Sequence, residues 1–438
     1  MNRLENLNSI NHFEILKETK GLNQRNSLVY VKAQQVLGDP IELSNSTTKQ
    51  RKFSVAEKLK NLTFFKKKTS KIPPDAVTPF ALLESNLEYG LKKIENFLNK
   101  YIEKLKKIYP DKYIDLKFTI PNYSEVKNDL KNQKLEDQII KKQKMTYLFA
   151  KGPYAMLNTP FAAGGVKEIF VGFDAFEEKP VAISVIPSRY EKFYLQENTI
   201  KVFNETPTNK VPDSLVKIIN TFKDVKGQLV VQELLSGLTV HDLINLRQQG
   251  RPYLTHEKKI SIIDNLLQAL EYIHDKGYLH RDVKVENLFV TEELDKVKLG
   301  DYETIGPKSD TRRLPGSSKL FAPETVLHQT YDEKSEVWAL GVTMFEIICG
   351  DLPLVAQNIS TDYSGHTQSE VFNSENVFIN NDKNEMKLEI WIIDTFNNKE
   401  IENAGFLTLL QGMLKFDPKQ RYSLNQVKGI FDAYIKSK

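Results

Sequence analysis

"HRDVKVEN", His280 to Asn287, decides how this chain is read. One short loop carries a carboxylate, an ammonium and an amide: Asp282, Lys284 and Asn287. Phosphoryl transfer needs a carboxylate to orient the attacking hydroxyl and accept its proton. It also needs a cation beside the transferring group and ligands for Mg2+ bridging the phosphates. Asp282 suits the first task, Lys284 the second and Asn287 the third, at a spacing that lets one loop aim them all at one centre. Asp301 follows the apolar, strand-like run of "VKLGDYE", Val297 to Glu303, and offers a second metal ligand.

In this order and at these spacings the set resembles the eukaryotic-type protein kinase family, of the Ser/Thr type. The resemblance extends over residues 150–438. Ala322-Pro323-Glu324 matches the triplet that closes the activation segment. Arg421 sits where the family places that glutamate's buried partner, and "SEVWALGVTMFEIICGDLPL" matches the central helix of the large lobe. The resemblance implies an α+β, bilobal fold, with a small β-rich lobe over residues 150–235 and a helical lobe over 236–438. It implies ATP and Mg2+ as cofactors and a protein as substrate. Asp282, Lys284, Asn287 and Asp301 would be catalytic, with Asn287 and Asp301 holding the metal. Gln232 falls at the gatekeeper position, and the backbone from Glu233 to Leu235 would bond adenine. Ile169 and Ala182 would roof the base, Phe289 would floor it, and Glu197 falls at the position of the family's helix glutamate. Ser317 takes the usual threonine position. Arg281 is the residue that commonly receives an activation-loop phosphate, for which Tyr302, Ser309 and Thr311 are candidate acceptors.

Four departures from the pattern stand out. In "KPVAISVI", Lys179 to Ile186, Ser184 replaces the strand lysine that grips the ATP phosphates. The metal-binding triplet reads Asp301-Tyr302-Glu303, with a charged side chain where a glycine normally flexes. Glu336 replaces the aspartate that usually braces the catalytic loop. The glycine-rich loop is "AAGGVKEIF": Ala162, Gly164 and Lys167 occupy the three glycine positions, with Gly165 beside them. A phosphate site needs a positive charge, not one particular strand to supply it. Ser184 together with Lys167 resembles the with-no-lysine kinases, in which the lysine has moved to the loop. Two readings follow: an active Ser/Thr kinase with a relocated lysine, or a pseudokinase acting as a nucleotide-binding or nucleotide-free scaffold.

Composition sets the bounds. Hydrophobic content of 40% and charged content of 27% describe an ordinary globular chain, and a net charge of +4 gives no case for nucleic acid. The single cysteine, Cys349, excludes an intramolecular disulfide and points to a reducing compartment. No signal peptide or long apolar run is seen, so the expectation is a cytoplasmic chain without an integral membrane segment. Residues 1–78 read as a weakly structured basic and polar region, 79–149 as a helical extension, and 356–384 as a polar surface insert. Leu87, Leu91, Ile94, Leu98, Tyr101, Leu105 and Ile108 form one apolar helical stripe. That stripe, on a helix over 82–108, suits intramolecular docking on the following domain or self-association.

Overall fold

The computed structural model describes residues 79–109, 118–131, 139–141, 144–148, 152–163, 167–188, 202–203, 211–224, 227–248, 254–291, 296–312, 317–353, 381–399, 401 and 404–436. The expected weakly structured region 1–78, Gly164, Gly165, Glu197 and most of the polar insert lie outside them. The chain divides into two compact units, one of residues 1–96 with 116–180 and one of 97–115 with 181–438.

The first unit begins on helix α1 (Pro79–Ile108), whose apolar residues recur at helical spacing. Leu83, Leu87, Leu91 and Ile94 are all buried. At Gly90 a β-carbon would stand 2.4 Å from the Phe173 ring, so only glycine allows that approach. One turn earlier the Asn86 amide donates to the Ala175 carbonyl at 3.0 Å. Helix α2 (Tyr123–Lys131) follows, then strands β1 (Ile139–Lys141), β2 (Met145–Leu148), β3 (Tyr154–Ala163) and β4 (Glu168–Asp174). These four strands pair in sequence order, each antiparallel to the next. Strand structure therefore starts at Ile139, upstream of the residue-150 boundary drawn from the sequence, inside the stretch read as helical. The Asn- and Lys-rich surroundings of β1 and β2 hide so short a signal.

The second unit takes up the last turns of α1, where Leu98, Tyr101, Leu105 and Ile108 are buried and Ile108 joins the unit's main apolar core. The stripe residues are thus buried within the chain. Strands β5 (Lys179–Pro187), β6 (Ile218–Asp224) and β7 (Gly227–Glu233) follow, and β5 and β7 carry positions expected from the sequence to line the nucleotide. Strand β7 pairs antiparallel with both β5 and β6, setting Ala182 opposite Gln232 and Ser184 opposite Val230.

Helices then dominate: α3 (Val240–Gln248), α4 (His256–Asp275), α5 (Pro323–His328), α6 (Glu333–Cys349), α7 (Asn381–Asn398), α8 (Ala404–Met413) and α9 (Leu424–Lys436). Helix α6 is apolar on every side, the pattern of a helix enclosed by others, and Ser335 to Cys349 are all buried. Asp332 and Ser335 cap its start reciprocally, and Gly350 ends it in the left-handed region, at φ 80°. The strand-rich then helical order is the α+β protein kinase fold that the sequence implies. Among the described residues no helix is long and apolar enough to cross a membrane.

Candidate active site

Apart from Ala162, Lys167 and Ile169, the residues described in this subsection lie in the second unit. Strand β8 (Tyr278–Leu279) delivers the chain into the loop that starts at His280, and a single 3-10 turn, Val285–Asn287, ends it. Strands β9 (Leu288–Val290) and β10 (Val297–Leu299) then form a short antiparallel pair that leads to Asp301.

The loop's backbone hangs on one buried carboxylate. Glu336 Oε1 accepts the His280 N–H at 3.0 Å, and Oε2 accepts the Arg281 N–H at 2.8 Å. His274 Nε2 also contacts Oε1, at 3.0 Å. Burial drives the Glu336 carboxyl upward, but the bond and charge of His274 with these N–H donors outweigh it, and its pKa lies below the ordinary value. The extra methylene of Glu336 is absorbed, and the brace expected of an aspartate is made by a glutamate.

Burial also pushes the His280 imidazole below its usual value, so the ring is neutral. One tautomer satisfies both nitrogens: Nε2–H donates to the Gly300 carbonyl at 3.1 Å, and Nδ1 accepts the Asp282 N–H at 3.3 Å. Arg281 holds a left-handed φ of 68° just before Asp282, a strained conformation for a non-glycine residue.

Asp282, Lys284 and Asn287 are brought together. Lys284 Nζ donates to Asp282 Oδ2 at 2.5 Å and to Ser317 Oγ at 2.9 Å. Asn287 Nδ2 donates to the Asp282 carbonyl at 2.8 Å and to Oδ2 at 3.0 Å. Oδ2 thus carries two donors, whereas Oδ1 is buried and has no hydrogen-bond partner among the described residues. Burial alone would depress the Lys284 ammonium, yet the carboxylates of Asp282, Asp301 and Glu286 raise it above its ordinary value. A firmly charged lysine, an oriented carboxylate with one oxygen outside any hydrogen bond and a fixed amide now share one loop.

Asp301 is placed by the same loop, since the Gly300 N–H donates to the Asn287 carbonyl at 3.0 Å. A β-carbon at Gly300 would stand 2.7 Å from Val216 Cγ2 and 3.0 Å from Phe289 Cε2, so sterics require the glycine before Asp301. Asp301 itself sits at φ 66°. The residues after it form a 3-10 turn, Tyr302–Thr304, and Glu303 is not among the positive-φ residues. The turn therefore needs no glycine at 303, and the strain sits one step earlier, at Asp301.

Of the residues expected to take the nucleotide, Ala182 is buried, while Leu235 and Phe289 are half-buried against the core. The Glu233 N–H is already used by the Lys217 carbonyl at 3.0 Å, so its backbone can offer adenine an acceptor only. The Glu233 side chain was not foreseen: both its oxygens accept from Lys298 Nζ, at 2.8 and 2.9 Å, tying the strand end of β7 to β10. Ser184 is buried on β5. Lys167 and Ile169, in the first unit, are both half-buried, and Ile169 pairs with Ala162.

Three further features bear on the activation segment. Arg281 donates to the backbone carbonyls of Pro307, at 3.1 Å, and of Asp310. The guanidinium the family uses for a phosphate is thus bonded here to the segment's own backbone. Glu324 and Arg421 form the expected buried fork, with bonds of 2.7 and 3.0 Å, and the guanidinium lies over the Trp338 ring. Lys319 pairs with Glu286 at 2.9 Å, and burial opposed by the Lys319 and Lys284 charges leaves the Glu286 carboxyl at about 2. That pair went unseen in the sequence; the only signal was an acidic residue inside the catalytic loop itself.

The protein kinase domain family matches residues 163–430. The serine/threonine-protein kinase PknL of Mycobacterium tuberculosis is 26% identical over 215 residues, which is 46% of this chain and 51% of that protein. The cGMP-dependent protein kinase of Plasmodium berghei is 32% identical over 161 residues, 36% of this chain and 18% of that protein. The chain thus spans about half the length of PknL and less of the second kinase. With most of the chain matched by the family and its catalytic loop assembled as the family requires, this chain belongs to the protein kinase family.

Proposed function

We propose that this chain is an active protein serine/threonine kinase that transfers the ATP γ-phosphoryl group to a protein hydroxyl, with Lys167 standing in for the lysine absent at Ser184. The observation that carries this reading is the Asp282 carboxylate. Oδ2 is fixed by Lys284 and Asn287 while buried Oδ1 is left to accept a proton from an incoming hydroxyl. Lys284, kept charged by its acidic neighbours and bonded to Ser317, would neutralise charge on the transferring group near the substrate side.

The donor set fits the cofactors. Asn287 and Asp301 would hold Mg2+, whose chemistry when bound is to neutralise the phosphate oxygens. The backbone from Glu233 to Leu235, with Ala182, Ile169 and Phe289, would take the adenine. Gly164 and Gly165 would cover the phosphates. Lys167 suits the relocated role because it directly precedes the strand that carries Ile169. Residues 150–438 would form the catalytic domain, with α1 an extension docked on it within the same chain.

The test is phosphoryl transfer by wild type beside Lys167→Ala and Ser184→Ala. Loss in the first and near-normal turnover in the second support the relocation; full activity of Lys167→Ala removes it. A second reading, a pseudokinase scaffold, is favoured by one observation: β5 buries an uncharged serine where the family keeps a cation. A thermal shift with ATP, with and without Mg2+, separates them, since a shift without turnover supports the scaffold.

A further inference from the structure

The aromatic ring after Asp301 carries a hydroxyl that a phenylalanine would lack, and the fold uses it. Tyr302 is buried, with its ring 4.5 Å from that of Phe203 and 5.9 Å from that of His280. Its Oη lies 2.6 Å from the Leu299 carbonyl and 3.0 Å from the Val216 carbonyl. One hydroxyl proton is therefore shared between two acceptors from separate segments. Leu299 O also accepts the Val216 N–H at 2.9 Å, and Leu299 N–H donates to Ser214 O at 2.8 Å. The segment 214–216, the end of β10 and the turn after Asp301 are thus sewn together at one point.

We propose that the Tyr302 hydroxyl is a latch that positions Asp301, holding the 301–304 turn against β10 and the Val216 backbone. Two observations support it besides the bonds. Asp301 sits at a strained φ of 66°, a conformation that persists only when its surroundings over-determine it. Glu303 fills the position where a glycine would let the turn swing, and it does so within a 3-10 turn that costs it no left-handed geometry. Without the hydroxyl, the Val216 carbonyl loses a donor in a buried setting. In the sequence Tyr302 reads as an aromatic exchange and Glu303 as the loss of a flexing glycine; here they act together, one tethering the turn and the other stiffening it. Tyr302 is a positioning residue, not a catalytic one.

The inference rests on Asp301 as metal ligand, so its test has one readout that does not. In Tyr302→Phe the ring contacts stay and only the hydroxyl goes. Hydrogen exchange of the Gly300, Ile305 and Val216 amides, without nucleotide, should speed up about tenfold, the worth of one buried hydrogen bond. Glu303→Gly should give a smaller rise. By titration, the apparent affinity for Mg2+ in the presence of ATP should fall in Tyr302→Phe. Turnover at saturating Mg2+ should stay near wild type, because ligand binding selects the latched state. Unchanged exchange overturns the latch, as does a larger rise in Glu303→Gly than in Tyr302→Phe. Faster exchange with unaltered Mg2+ affinity overturns its positioning role. If wild type binds no Mg2+ with ATP, the kinase reading fails while the exchange result still decides the latch.

Discussion

The catalytic loop at 280–287 and the turn at 301–304 each lean on a residue the family does not usually carry, and they absorb it differently. The loop hangs from Glu336, a buried carboxylate that takes two backbone N–H groups and a histidine. The turn is held by Tyr302 through ring packing and one shared hydroxyl proton. In the first case charge-assisted bonds carry the load; in the second, shape and a neutral hydrogen bond do. A brace made of charge is strong, and its loss is costly. A brace made of packing is sensitive to volume instead.

That contrast can be broken by mutation. Glu336→Ala should cost most, about 3–5 kcal/mol in denaturant unfolding, because it strands the His280 and Arg281 N–H groups and empties a buried charged site. A loss under about 1 kcal/mol contradicts the brace. Gly300→Ala should come next, at about 1–3 kcal/mol, from pressing a methyl onto Val216 and Phe289. A neutral result there means the turn is slack. Glu336→Asp restores the family's usual residue but shortens the arm; it should cost about 1 kcal/mol, roughly one of the two loop bonds. A stabilised Glu336→Asp would show that the loop is not fitted to glutamate.

A pH dependence should appear at the Glu286–Lys319 pair. Glu286 falls from 4.5 to about 2 on folding, so the unfolded chain binds the proton more readily. Its contribution is complete above about 4.5 and fades as pH drops toward 2. In Glu286→Gln, unfolding followed against pH should lose that part of the acid slope. An identical slope would mean that the pair does not stabilise the fold.

How much of this was legible depended on sequence distance. Asp282, Lys284 and Asn287 meet within one loop, so their order alone announces the chemistry. The α1 stripe announced a helix and an apolar face, but periodicity says nothing of what covers it. The Tyr302 latch was invisible because its second acceptor, Val216 O, lies 86 residues away in the chain. The Glu233–Lys298 pair, 65 residues apart, was hidden for the same reason. Glu303 looked like damage because the usual glycine was read as a conformational need. The backbone shows that the need lies at Asp301 instead. Glu336 was recognised as a substitution, but only the geometry shows that the longer arm reaches both N–H groups.

We propose an intact catalytic loop that works with a cation moved from β5 to the loop before β4. Autophosphorylation of wild type beside Asp282→Ala and Lys167→Ala tests it most directly. Wild type should show Mg2+-dependent incorporation that is lost in both variants, by at least about a hundredfold for Asp282→Ala. Wild-type activity that survives intact in Lys167→Ala would contradict it.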